Sequence, residues 1–207
     1  MAKKCCNRIA TTLSIILVLF MLFIGTDGFT VFTAESARKN KLIEEKPKFP
    51  EVILEDSKER TYTMETFRGK HVLITFVYTA CTTVCPELER NLEEVYQSIP
   101  AHYIGEEIIF LTISFDPERD DPETLENYRQ YFNSDGETWR MARVPDQQQL
   151  ESLLDAFGVI VIPDEYGFSH NSAFYFVNKD GYLENVLDYT DINAATEYVV
   201  RRLEGGK

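Results

Sequence analysis

Two short runs constrain this chain most: residues 71–78 (HVLITFVY) and 108–115 (IIFLTISF). Both are nearly continuous in apolar, β-branched and aromatic residues, the pattern of a strand covered on both faces. Between them, residues 86–99 (PELERNLEEVYQSI) place Leu88, Leu92, Val95 and Ile99 at helical spacing, with Pro86 in the first turn and Glu87 and Glu89 near the positive end of the helix dipole. A second helix opens with Asp121 as cap and Pro122 as first residue and shows the face Leu125, Tyr128, Phe132. A third is capped by Asp146, uses Leu150, Leu153, Leu154 and Phe157, and stops at Gly158. Residues 173–177 and 182–187 flank Asn178-Lys179-Asp180-Gly181, a hairpin signal, and Asp191 caps a last helix running to about Leu203. Two short strands, 51–54 and 61–63, and a helical turn ending at Gly69 precede all of this. The order predicts an α/β fold: a sheet of mixed direction flanked by helices on both faces.

Ahead of residue 49 the character changes. Residues 9–25 (IATTLSIILVLFMLFIG) carry no charge and follow Lys3, Lys4 and Arg8. A run of that length is at the lower edge of what spans a hydrocarbon layer of about 30 Å, so a transmembrane anchor competes with a cleavable signal peptide. The flanks favour the anchor, because cleavage after Ala34 or Ala37 would put Phe32 or Glu35 where a small residue is needed. Basic residues on the N-terminal side alone keep the N-terminus cytoplasmic and export the rest. Cys5 and Cys6 precede the run and are read as incidental, with acylation near the membrane the alternative. Three parts result: a stub and one N-terminal transmembrane helix in residues 1–25, a charged stalk in 26–48, and a single domain in 49–207. All 34 acidic residues follow Gly25 against 18 of the 21 basic ones, an excess of 16 negative charges that argues against nucleic acid or an anionic bilayer as target. Cationic partners, metal ions included, suit it better.

The chemistry lies between the first apolar strand and the first long helix, at Cys81-Thr82-Thr83-Val84-Cys85-Pro86. Free amides and the dipole at a helix start stabilise a thiolate, which is both nucleophile and metal ligand. Three intervening residues leave Cys81 in the loop and Cys85 in the opening turn, so the sulfurs can close a disulfide or share one ion. A plain staple is the simplest alternative, yet so short a loop stabilises by only roughly 2 kcal/mol. His170, in the turn-rich loop 163–171 before the late hairpin, is a candidate third donor. Two thiolates and one imidazole would suit copper in either oxidation state better than magnesium, calcium or manganese. Zinc competes, although structural zinc prefers four protein ligands and no fourth stands out. His71 and His102 read as packing or surface residues.

Phe67-Arg68-Gly69-Lys70, Tyr78-Thr79, the cysteine motif, residues 114–122 (SFDPERDDP), and His170 ahead of residues 173–177 (AFYFV) occur in one order. From about Lys48 to Leu203 the chain resembles the Sco (SenC/PrrC) family, thioredoxin-like copper chaperones of cytochrome c oxidase assembly. The resemblance implies a thioredoxin-like fold and one copper ion, Cu(I) or Cu(II), held by Cys81, Cys85 and His170. It implies delivery toward the copper-bearing subunit of the oxidase and its dinuclear copper centre, or exchange with another copper chaperone. The apolar run begins within ten residues of the start and leaves no room for a mitochondrial transit peptide, so the plasma membrane of a bacterium is the expected location. Asp116, the first acid of the Asp-Pro-x-Arg-Asp segment, would lie near the site and act at most through other residues. Thiol-disulfide reduction or redox signalling by Cys81 and Cys85 alone is the alternative. Two places depart from the family pattern. Ser169 stands where an acid often precedes the histidine, and Thr82 and Thr83 stand where the cysteine motif often holds Pro or Asp. A peroxiredoxin arrangement of Pro, Thr and Cys is absent, since its proline place holds Ile74 or Tyr78.

Overall fold

The computed structural model describes residues 12, 14–21, 34–164 and 167–205. Residues 42–207 cluster as one compact unit and those before them as another. Within the apolar run 9–25, residues 12 and 14–21 are helical. The remainder of that run, with Cys5 and Cys6, lies outside the described residues. Among the described residues no helix is long and apolar enough to cross a membrane. Part of the stretch read as a stalk is also helical: α1 spans Ala34–Glu45, with Arg38 paired to Glu35 at 2.6 Å. Leu42 in its last turn is buried in the core of the second unit. Beyond it, Leu183 donates its amide to the Pro47 carbonyl and Phe49 donates to Gly181, so the chain is already stitched to the late hairpin before residue 49.

The second unit is built on β1 (Leu54–Asp56), β2 (Thr61–Tyr62), β3 (His71–Val77), β4 (Ile108–Ser114), β5 (Trp139–Arg143), β6 (Val161–Asp164), β7 (Gly167–His170), β8 (Phe174–Val177) and β9 (Leu183–Leu187). Seven of these form one sheet in the order β2-β1-β5-β4-β3-β8-β9, and β6 with β7 forms a separate hairpin. β3, β4 and β5 run parallel, while the outer pairings are antiparallel, so the sheet is mixed as the pattern predicted. Every residue of β3 and β4 is buried, the physical meaning of their unbroken apolar runs. The helices are α2 (Val84–Ser98), α3 (Pro122–Gln130), α4 (Gln147–Ala156) and α5 (Ile192–Leu203). α2 packs on β3 and against α5, and α3 packs on β5 and β1. Asp121, Asp146 and Asp191 cap α3, α4 and α5 by accepting the amides of Thr124, Gln149 and Ala194.

Besides α1, the strand β5 and the hairpin β6–β7 are absent from the sequence reading. β5 has the sequence WRMAR, whose half-exposed arginines disguise a strand between two helices. The hairpin β6–β7 occupies the stretch read as a turn-rich loop, because Pro163 and the polar residues around it hide its pairing, which sets Val161 opposite His170.

A carboxyl group sits wholly inside this core beside two buried threonines. Glu89, one turn beyond Cys85 on α2, accepts hydrogen bonds from the Thr75 hydroxyl at 2.7 Å and the Thr112 hydroxyl at 2.8 Å. Those threonines are opposite each other on β3 and β4, and Trp139 donates its indole N–H to Thr112. Burial outweighs the two hydroxyl donors and pushes the Glu89 carboxyl up to about 7. The folded state therefore holds a proton that the unfolded chain loses near the ordinary carboxylate range. The resulting stability is fully present at acid pH and is lost as pH rises through about 7, a change on the order of 3 kcal/mol. Glu89→Gln should flatten this slope, as measured by chemical denaturation at a series of pH values between 4.5 and 8.

Candidate metal centre

β3 ends at Val77 and α2 begins at Val84, so the intervening turn must deliver Cys81 and Cys85 from a parallel strand into a helix start. Its shape is fixed from β4. Asp120, fully buried, accepts the Thr79 amide at 3.0 Å, the Thr79 hydroxyl at 2.5 Å and the Ser114 hydroxyl at 2.5 Å. Within the turn, the Cys81 amide donates to the Tyr78 carbonyl at 3.2 Å.

Cys85 is the second residue of α2, and both thiols are buried and not joined by a disulfide. The Cys85 amide at the helix start donates to Cys81 Sγ at 3.4 Å, and Thr83 Oγ1 lies 3.8 Å from the same sulfur. Burial disfavours the Cys81 thiolate. The amides and side chains of Cys85 and Thr83 outweigh it and bring the Cys81 thiol below its ordinary range. Cys85 is the opposite case: burial, reinforced by Cys81 and Glu89, drives its thiol well up. The pair thus holds one thiol disposed to ionise and one that keeps its proton.

His170, the last residue of β7, comes to this pair from 85 positions away, with Nε2 3.4 Å from Cys85 Sγ. Its Nδ1 lies 3.2 Å from the Asn171 carbonyl, which can only accept, so Nδ1 carries the proton and Nε2 presents a lone pair to the sulfur. Burial outweighs this contact and holds the imidazole below its ordinary pKa, hence neutral. Tyr78 and Phe115 pack their rings on His170, Phe115 at 4.9 Å between centroids.

The three residues singled out from the sequence are therefore neighbours in the fold. Among the described residues, though, no three His, Cys, Asp or Glu side chains are already gathered as a ligand cage. The donor chemistry fits a soft ion: two sulfurs and an imidazole nitrogen with its lone pair turned to one of them. Asp116 follows Phe115 in the chain, and its carboxylate pairs with Arg119 at 2.5 Å. Arg119 in turn stands over the Phe168 ring on the hairpin, 5.6 Å from its centroid. His71 stands at the other end of β3, stacked on Phe176 and lowered to about 4 chiefly by burial. Two residues that organise the cluster had no role in the sequence reading, Tyr78 and Asp120. Asp120 is the second acid of the Asp-Pro-x-Arg-Asp segment, and its fixed place in that segment was the available signal.

Comparison with known proteins bears on this arrangement. The family model SCO1/SenC matches residues 42–204, nearly the whole compact unit. The SCO1 protein homolog of Bacillus subtilis is 28% identical over 125 residues, covering 59% of this chain and 64% of that protein. The SCO2-like protein RP587 of Rickettsia prowazekii is 23% identical over 202 residues, 90% of this chain and 95% of the other. Among solved structures, Bradyrhizobium japonicum ScoI with copper bound superposes with a TM-score of 0.65 at 23% identity, covering 75% of this chain and 98% of that one. Arabidopsis thaliana ScoI with copper bound gives a TM-score of 0.66 at 20% identity and shares the thioredoxin-like α/β fold. A match that begins at Leu42, where the buried core itself begins, and runs through the last helix spans nearly all of the folded unit: the chain belongs to the SCO1/SenC family.

Proposed function

We propose that this protein binds one copper ion, Cu(I) or Cu(II), through Cys81, Cys85 and His170. In this reading it passes the ion by ligand exchange to the copper-bearing subunit of cytochrome c oxidase, or to another copper chaperone, during assembly of the dinuclear centre. The observation that carries the reading is the approach of His170 Nε2 to Cys85 Sγ at 3.4 Å, with Nδ1 held at the Asn171 carbonyl. In the metal-free protein that lone pair accepts the Cys85 S–H, and the same lone pair is the one a metal would take once the thiol loses its proton. The family's relatives support the same cargo, two of the superposed structures being described as copper-bound. Copper here is cargo, taken by the dithiol and surrendered to the acceptor, and the chain's part is to present the donors and shed their protons.

The proposal extends to location. Residues 9–25, uncharged and preceded by Lys3, Lys4 and Arg8, would anchor the chain in a bacterial plasma membrane with the N-terminus cytoplasmic and the folded unit outside. Asp116 would act on the site only through Arg119 and the hairpin it touches.

The test is a copper titration of the reduced protein followed by absorption spectroscopy and metal analysis. His170→Ala should weaken copper binding by about tenfold or more while Cys81 and Cys85 remain oxidisable to a disulfide. Unchanged affinity in that variant would sink the three-donor site and leave thiol-disulfide exchange by the cysteines alone. Protonation gives a second measurement. Because Cys85 keeps its proton in the metal-free protein, binding must displace it, and apparent affinity should rise by about tenfold or more per pH unit between pH 6 and 8. A competition titration across that range checks the slope.

A further inference from the structure

His170 is carried on a hairpin that shares no strand pairing with the main sheet. Something else must therefore set where its imidazole stands relative to the cysteines. Residue 168 lies two positions before His170, and both of its main-chain polar groups go to one atom: the Phe168 amide donates to Tyr78 Oη at 3.3 Å, and the Tyr78 hydroxyl donates to the Phe168 carbonyl at 3.3 Å. In a strand, the N–H and C=O of one residue point to the same side, so the hydroxyl serves the edge that β7 turns away from β6. A single phenol oxygen acts here as a partner strand would.

The fit around that oxygen is close. Gly167 has φ +147, and a Cβ built on it would stand 2.8 Å from Tyr78 Oη, so the hairpin can approach the phenol only with glycine at this position. The Tyr78 ring meets Phe168 edge-on at 5.3 Å and Phe115 at 5.4 Å, which holds the phenol upright beneath the hairpin. At its other end Tyr78 belongs to the cysteine turn, its carbonyl accepting the Cys81 amide. One residue therefore has its backbone in the turn that presents the thiols and its hydroxyl on the strand that presents the imidazole.

We infer that Tyr78 is the positioning residue of the copper site, its hydroxyl latching β7 so that His170 meets Cys85. This deepens the proposed function and rests on His170 being a copper donor. A latch of two neutral hydrogen bonds, one donated and one accepted, should shift copper affinity by about fivefold to tenfold.

The experiment uses the full chain carrying Tyr78→Phe, which keeps the ring and removes the hydroxyl. In the metal-free protein, hydrogen exchange of the Phe168 amide should accelerate by about tenfold relative to wild type, since its acceptor is gone. Copper affinity should fall by about fivefold to tenfold in Tyr78→Phe, yet Tyr78→Phe added to His170→Ala should cost nothing further. Should Tyr78→Phe fold poorly, Gly167→Ala attacks the same contact from the hairpin side and should produce the same exchange and affinity changes. An unchanged Phe168 exchange rate overturns the latch. So does an affinity loss of equal size with and without His170, because the tyrosine would then act by some other route. If wild type and His170→Ala bind copper equally, the donor reading fails, and the metal-free exchange rate alone decides whether Tyr78 holds the hairpin.

Discussion

The cluster depends first on a buried carboxylate. α2 begins without help from its own N-cap, since Thr83 makes no side-chain capping bond. What holds the turn before it is Asp120, reached through the segment that follows β4 and saturated by Thr79 and Ser114. A charge so deep is tolerated because each oxygen has donors, and removing one donor would leave a desolvated anion at a cost of several kcal/mol. Thr79 is two residues from Cys81, so Asp120, in the segment after β4, helps to set the position of the first thiol together with the motif's own Thr83 and Cys85.

From that frame the two cysteines acquire different chemistry though the motif writes them alike. Cys81 stands just outside the helix and collects the amide of Cys85, one of the donors a helix start leaves without an internal partner. Cys85 stands inside the helix and is fully buried, above Glu89. Position relative to a helix end decides which sulfur leads an attack and which must be coaxed to ionise.

Much of this was legible in the sequence, for reasons that can be named. The runs at 71–78 and 108–115 could bury both faces only inside a sheet, and they form its centre. Aspartates before Thr124, Gln149 and Ala194 announced three helix starts correctly, because capping is a local interaction. Cys81 and Cys85 were recognisable from their place between strand and helix. His170 was a weak candidate from its loop and became a firm one through family resemblance, since its contact with Cys85 spans 85 residues and depends on a hairpin hidden by Pro163. β5 escaped for a related reason: its arginines satisfy themselves at the surface, Arg143 with Glu55 and Arg140 over Tyr62. Tyr78 and Asp120 escaped because a side chain that organises others shows its purpose only when its partners are in place.

The hairpin gives the site a kinetic character. Two strands paired to each other are marginal by themselves, and β6–β7 turns Ile160 and Ile162 outward instead of burying them. It has no partner strand in the main sheet, whereas the turn bearing Cys81 and the helix bearing Cys85 join on to β3 at the centre of the core. The three candidate donors thus differ in how each is held in place. Were the imidazole to leave before the two sulfurs, residence time would be governed by the weakest-held donor. A partner offering one replacement ligand would need to compete with that residue alone at the first step.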